Sequence, residues 1–352
     1  MKQLRSHVIR AGLEALYFTG AHRLLQPIFA GAGSIFMLHH VRPSPAAAFQ
    51  PNRHLEITPE FLRATLMHLR EQRIDIVTMD EMHRRLNERD LSQRFACFTF
   101  DDGYRNNRDF ALPIMREFGA PFTVYVASDF AQGNGILWWT ALEMVIARTS
   151  QIEAAIDGVA TRIDCATLPA KHAAFERLHD WLRALPERND LATEIGALCA
   201  RHGVDLPAIC RDLCMNWEEL KPFSDEPLVS IGGHTVTHCN LAQQSDAIAC
   251  DEITTSRARI ENALQSSVQH FAYPYGDKFA AGRREFETTR KSGFKTAVTT
   301  RPGMIFPESA QHPTALPRVS LNGNYQAKRI LPVLTSGAAT AMWNGFRRIN
   351  AA

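Results

Sequence analysis

Along the chain, short runs rich in Val, Ile, Phe and Tyr alternate with longer stretches whose apolar positions recur at helical spacing. The short runs predict seven strands: Ser34–Leu38, Ile74–Thr78, Phe95–Phe100, Phe122–Val126, Leu228–Ile231, His270–Tyr273 and Lys295–Thr299. They are nearly continuous in apolar residues, which suits strands covered on both faces. Their alternation with helical patterns is that of βα units around a parallel sheet. Thr58-Pro59 reads as a helix N-cap followed by proline at the first helical position, with Leu62, Leu66 and Leu69 on one face. Phe110–Phe118 ends at Gly119, a predicted C-cap, and Asp246–Leu264 and Arg283–Ser292 supply two more helices.

From about Gly133 to Asp225 the rhythm breaks. Four helical patterns follow one another there (Leu142–Arg148, His172–Leu185, Leu191–Arg201 and Leu206–Cys214) with no strand, which predicts a helical insertion between the fourth and fifth strands. The expected division is an N-terminal helical segment over 1–33, a barrel over 34–325 carrying the insertion at about 133–225, and a C-terminal helical tail over 326–352. At 352 residues the chain fits a single α/β barrel, or one domain carrying an insertion.

Composition narrows the function classes. An apolar fraction of 45% and a charged fraction of 22% are those of a folded protein. A net charge of +2, with no basic stripe interleaved with aromatics, argues against nucleic acid. The seven cysteines have no framework spacing, and Cys210 and Cys214 lack the second close pair of a zinc knuckle. They read as buried reduced thiols, which favours a reducing, cytoplasmic compartment. In the N-terminal stretch Arg10, Glu14, His22 and Arg23 interrupt what would otherwise resemble a signal peptide. Its basic residues alternate with Leu13, Leu16, Tyr17 and Phe18, so it reads as a helix packed on the barrel wall or as one lying on a membrane. The basic Trp343–Arg348 segment is a second candidate for peripheral contact with the inner membrane face.

Three segments that each close a strand carry the candidate chemistry. Phe98-Thr-Phe-Asp-Asp-Gly-Tyr104 ends an apolar run on two adjacent carboxylates and a glycine. Neighbouring strand residues point to opposite faces, so Asp101 and Asp102 share a site only if the strand turns at Gly103. One could then bind a metal and the other take a proton, at the strand end where barrel enzymes collect catalytic groups. Ile231-Gly-Gly-His-Thr-Val-Thr-His238 offers two imidazoles four residues apart, placed by a helical turn to reach one ion. With Asp102 they form a two-histidine, one-carboxylate set that leaves coordination positions open. In Phe271-Ala-Tyr-Pro-Tyr-Gly-Asp277, proline and glycine fix an irregular backbone from which one N–H could meet a developing oxyanion.

Together Thr99-Phe-Asp-Asp-Gly103, His234-Thr-x-x-His238 and Tyr273-Pro-Tyr-Gly276 resemble the three main motifs of the polysaccharide deacetylase family, the NodB-homology domain of carbohydrate esterase family 4, over roughly Ser34 to Val319. The resemblance implies a distorted (β/α)7 barrel and a divalent metal, usually zinc, with cobalt, nickel or manganese as alternatives. It makes Asp102, His234 and His238 metal ligands, Asp101 the catalytic base and the Tyr275 amide an oxyanion donor. It further implies a hydrolase that removes N-acetyl, or O-acetyl, groups from an amino-sugar glycan, an oligosaccharide or a lipid-linked saccharide. The alternatives are an amidohydrolase acting on a non-glycan amide or cyclic ureide, and an inactive carbohydrate-binding module.

Two departures stand out. Ala272 occupies the place where many members carry an arginine that orients the base, and Arg318 is the candidate substitute. The late Leu-x-His that often supplies a general acid is absent. His39 resembles a histidine that some members place at the end of the first strand, whereas His40 is expected to face away and His312 to lie in a polar loop. Trp138 and Trp139 read either as a sugar-stacking platform or as core, and Trp217 carries the same ambiguity.

Overall fold

The computed structural model describes residues 2–185 and 188–348. Seven parallel strands close on themselves in chain order: β1 (Gly33–Leu38), β2 (Phe95–Phe100), β3 (Phe122–Val126), β4 (Val229–Gly233), β5 (His270–Ala272), β6 (Thr296–Pro302) and β7 (Leu316–Ser320). The ring shuts where Phe36 and Met37 pair with Val319 and Ser320. It is uneven: β4 meets β5 at a single register pair, Gly233 with Phe271, and the β6–β7 register shifts between Val298 and Pro302.

Two expected assignments change. Ile74–Thr78 is not a stave of the ring; only Asp75 and Ile76 pair, with Phe95 and Ala96 at the amino end of β2. The seventh stave is β7, which the apolar pattern hid because Leu-Pro-Arg-Val-Ser puts a proline and an arginine in the run. Proline lacks a ladder donor and belongs at irregular positions. Arg318 is buried only because it has a carboxylate partner deep in the barrel. The stave β4 also runs two residues past its expected end, to Gly233, and a Cβ on Gly232 there would collide with the Tyr125 ring.

Period-two alternation divides each stave between two environments. Ile35, Cys97, Tyr125, Ala272, Val298 and Leu316 pack together inside the barrel. Their neighbours Phe36, Phe98, Phe100, Val124 and Phe271 pack outward into a core shared with the helix Pro59–Glu71 and the helix Asp246–Leu264. The caps form as the sequence predicts. Thr58 accepts from the Phe61 amide, and Gly119 ends its helix in the left-handed region at φ 60°.

The insertion has a core of its own, in which Trp138, Trp139, Leu142, Ile146, Phe175 and Leu198 are buried. Contrary to expectation it also contains strands: Gln151–Ile156 and Val159–Asp164 form an antiparallel hairpin. The overlooked signal is Asp157-Gly158, both at positive φ (52° and 78°), the dipeptide that a two-residue hairpin turn favours. Outside the barrel, α1 (Lys2–Phe18) and α2 (Ala21–Phe29) precede the first stave. Leu13 and Leu16 of α1 are buried against Ile330, Val333 and Ala338, so this helix packs mainly on the C-terminal helices. No helix among the described residues is long and apolar enough to cross a membrane. Six of the cysteines are buried free thiols as expected, and Cys250 is exposed.

Candidate active site

Strand parity brings Asp101 into the barrel mouth. Cys97, Thr99 and Asp101 share one face of β2 and its extension, and the Asp101 amide still donates to Leu38 O at 2.9 Å as though the strand continued. Asp102 would then point outward, but its φ of 74°, followed by Gly103 at 68°, reverses the chain and returns its carboxylate to the same cleft. Both carboxylates are 2% exposed.

The two histidines reach this carboxylate from the end of β4, by a loop rather than the expected helical turn. Thr235 and His238 both lie at positive φ (65° and 61°), and the Thr235 hydroxyl accepts from the His238 amide at 2.9 Å. Glu252, on the helix Asp246–Leu264, fastens the loop from behind. Its carboxylate accepts from the Val236 and Thr237 amides at 2.9 and 3.0 Å and from the Thr237 hydroxyl at 2.8 Å. Nothing in the local motif points to a carboxylate that far along the chain.

His234 Nε2 and His238 Nε2 stand 3.4 and 3.3 Å from Asp102 Oδ1, a buried oxygen without a hydrogen-bond partner among the described residues. The Nδ1–H of His234 is directed at Ala272 O, 2.7 Å away, which leaves the Nε2 lone pair aimed at the carboxylate. Donor atoms of all three residues lie within 4.8 Å of one another. An orphaned buried oxygen facing two imidazole nitrogens is the arrangement a divalent cation satisfies, and two nitrogens with one oxygen leave coordination positions for water and substrate.

Asp101 is held by Arg318. The guanidinium is fully enclosed and meets both carboxylate oxygens at 2.7 Å, while its Nε donates to Thr299 O at 2.8 Å and Nη1 to the Thr99 hydroxyl at 3.1 Å. Burial by itself would raise the Asp101 carboxyl; the charge and hydrogen bonds of Arg318 outweigh it and hold the group below its ordinary value. Asp101 is therefore ionised at neutral pH. Arg318 thus arrives from the last stave at the carboxylate that Ala272 cannot reach. His39 follows β1 and brings Nε2 to 3.8 Å from Asp101 Oδ2, at the cleft wall. His40 turns away as expected, stacked on Tyr104 with ring centroids 3.6 Å apart. His312 is an exposed loop residue outside the cleft.

The third loop makes a tight turn at Tyr275. This residue sits at φ 61°, and the Gly276 amide donates back to Pro274 O at 2.6 Å. Thr300 clamps the turn, donating from its hydroxyl to Tyr275 O at 2.6 Å and from its amide to Gly276 O at 3.0 Å. Among the described residues the Tyr275 N–H has no hydrogen-bond partner. A Cβ on Gly276, which lies at φ 54°, would come 2.7 Å from the Thr300 amide nitrogen. Gly276→Ala is therefore expected to lower stability by about 1–3 kcal/mol and to lower turnover with it. Thermal unfolding and turnover measured together check this, and a variant equal to wild type in both would mean that the turn is not needed.

Trp138 and Trp139 are buried, 3% and 6% exposed, so they act as walls rather than as an open platform. Trp138 donates from Nε1 to the Tyr275 hydroxyl at 3.0 Å, and the Trp139 ring lies 5.0 Å from that of His238. Trp217 is half-buried outside the cleft and donates to Gln132. The cleft has a volume of about 1090 Å³. Beyond the motif residues its walls come from α1, from the helix α3 (Leu168–Ala184) of the insertion, and from Asn322–Tyr325. Arg183 of α3 stacks over the Tyr275 ring and pairs with Asp277, tying the insertion to the third motif loop.

Comparison with known proteins agrees with this geometry. Residues 188–296 match the model of a family described as polysaccharide deacetylase, a span that includes His234, His238 and Tyr275. No curated protein matches the chain in sequence. The fold is similar to that of the Streptococcus pyogenes deacetylase PplD, solved in complex with acetate, at 16% identity and a TM-score of 0.55, covering 83% of this chain and 92% of that one. It is also similar to IcaB from Ammonifex degensii, at 18% identity and a TM-score of 0.52, covering 82% and 91% of the two chains. The closed seven-stranded barrel is thus the fold of these solved deacetylases, and the stretch that carries the histidine loop and the Tyr275 loop matches the polysaccharide deacetylase family model.

Proposed function

We propose that this protein removes N-acetyl, or alternatively O-acetyl, groups from an amino-sugar glycan by metal-assisted hydrolysis. The observation that carries the reading is the pairing of two differently equipped aspartates in one cleft. Asp102 faces two imidazole nitrogens, and its neighbour Asp101 is held ionised by Arg318.

A divalent cation held by Asp102, His234 and His238, with zinc first among the choices, would polarise the acetyl carbonyl and acidify a water. Asp101, fixed in orientation by the two guanidinium contacts, accepts the proton of the attacking water. The Tyr275 N–H, left without a partner by its turn, donates to the oxygen on which negative charge develops. The amine must leave with a proton, and the titratable groups beside it are Asp101, by then protonated, and His39. The volume of the cleft, about 1090 Å³, and its walls on α1 and α3 favour a substrate of several sugar rings over a small cyclic ureide, which would fit a closed pocket.

The test is acetate release from chitooligosaccharides, peptidoglycan fragments and a poly-N-acetylglucosamine oligomer, each with metal-loaded protein, with chelator, and after metal is restored. Release that chelator abolishes and metal restores is the expected result. His238→Ala should lose most of the bound metal by elemental analysis. Release from no glycan by a protein carrying stoichiometric metal would move the reading to a non-glycan amide. A protein that binds no metal would remove the mechanism altogether.

A further inference from the structure

The end of the barrel away from the cleft carries an unassigned feature. A second cavity, of about 610 Å³, opens between α2, the residues leading into β1, and the segments around Arg94 and Phe306. Ala30–Ala32 and Arg94 immediately precede β1 and β2, so this cavity lies at the amino ends of strands whose carboxyl ends hold the catalytic groups. Arg23, Arg94 and Arg348 line it, and among the described residues no carboxylate does. Arg94 is the most informative of the three. Burial lowers its pKa without a compensating acid, its Nη2 is engaged by Thr335 O at 2.5 Å, and its Nε is buried without a partner among the described residues.

Around this basic cavity the surface is apolar. Leu24 and Ile28, one helical turn apart on α2, are 79% and 50% exposed. The helix α4 (Ala338–Trp343) packs on α2 and exposes Met342 and Trp343; Phe346, just beyond it and 56% exposed, rests its ring 5.7 Å from that of Phe29. Large apolar side chains beside unneutralised arginines are poorly suited to water. A protein partner complementary to this face would need to bring both acid and apolar surface. A bilayer containing anionic lipid offers both at once, phosphate for the guanidiniums and acyl chains for the apolar rim.

We propose that this face, α2 with α4 and the Arg23–Arg94–Arg348 cavity, docks on an anionic phospholipid surface. Arg23 and Arg348 engage lipid phosphates, Arg94 receives one more deeply, and Leu24, Ile28 and Trp343 enter the headgroup boundary. The catalytic cleft then faces away from the membrane by the length of a stave, roughly 20 Å for six residues. Docked in this way, the enzyme would meet glycan strands in the surrounding medium rather than saccharides tethered close to the lipid surface.

The test is co-sedimentation of the full chain with vesicles of phosphatidylglycerol, of phosphatidylcholine, or of a mixture, at low and at moderate salt. Binding is expected to the anionic vesicles only, weaker at higher salt, with a blue shift in tryptophan emission that Trp343→Phe removes. Arg23→Gln with Arg348→Gln should weaken binding by about tenfold or more, and Leu24→Ser with Ile28→Ser should weaken it at both salt concentrations. Acetate release from a soluble substrate should be unchanged in both pairs, which separates lost docking from lost folding. No binding to anionic vesicles, binding that neither pair of substitutions weakens, or saturable binding of inorganic phosphate by a protein that ignores vesicles would each overturn the proposal.

Discussion

Asp101→Asn should reduce turnover for acetate release by about a thousandfold or more, with substrate KM little changed and metal content equal to wild type. The magnitude is that of losing a positioned general base. Asparagine keeps the shape of the side chain and one acceptor for Arg318, so the cleft survives, but it has no anionic oxygen to receive the water's proton. The substitution also leaves the buried guanidinium partly uncompensated, and some loss of stability should accompany it. Circular dichroism and elemental analysis at a temperature well below unfolding separate the two effects. A variant retaining a tenth of wild-type turnover would show that another group takes the proton, and His39, 3.8 Å away, would be the first to examine.

The largest expected effect on stability lies on the other side of the same contact. Arg318→Met removes four hydrogen bonds from the barrel interior and leaves Asp101 buried without its counter-charge. Breaking one partner of a buried pair typically costs about 3–5 kcal/mol, because the surviving charge keeps its desolvation cost and loses its compensation. For a chain of this size the thermal midpoint should fall by on the order of 5–10 °C. Turnover measured below the transition should fall as well, since Asp101 is no longer held in one orientation. Arg318→Lys tests the geometry separately from the charge. It keeps the cation but not the fork that meets both oxygens, so it should recover part of the stability and less of the turnover. A midpoint unchanged in Arg318→Met would mean that the pair does not constrain the folded state.

The three candidate loops were legible in the sequence because residue types able to hold a metal and move a proton are few, and each closes an apolar run. Asp101-Asp102-Gly103, His234 with His238, and Tyr275-Gly276 each close a predicted strand, where barrel chemistry gathers, and their roles followed from the resemblance to the deacetylase motifs. The helix limits at Thr58, Gly119 and Asp246–Leu264 were equally readable, since caps and apolar periodicity are local properties. The insertion was visible as a break in rhythm, and only its hairpin, marked by Asp157-Gly158, escaped.

What the tertiary structure decided is what depends on distant partners. Whether Leu316–Ser320 is a stave could not be read from its composition, because Arg318 is tolerable inside a barrel only with Asp101 opposite it, 217 residues away in sequence. That Glu252 secures the histidine loop, that Thr300 fixes the Tyr275 turn, and that Arg183 of the insertion closes over it are likewise contacts between elements far apart in the chain. Burial places Trp138 and Trp139 in the core of the insertion, from which they also line the cleft. The sequence by itself determines which groups can do the chemistry, since their identity and local spacing are covalent facts. How those groups are oriented, charged and walled in is decided by packing, because each orientation rests on a neighbour that only the closed barrel supplies.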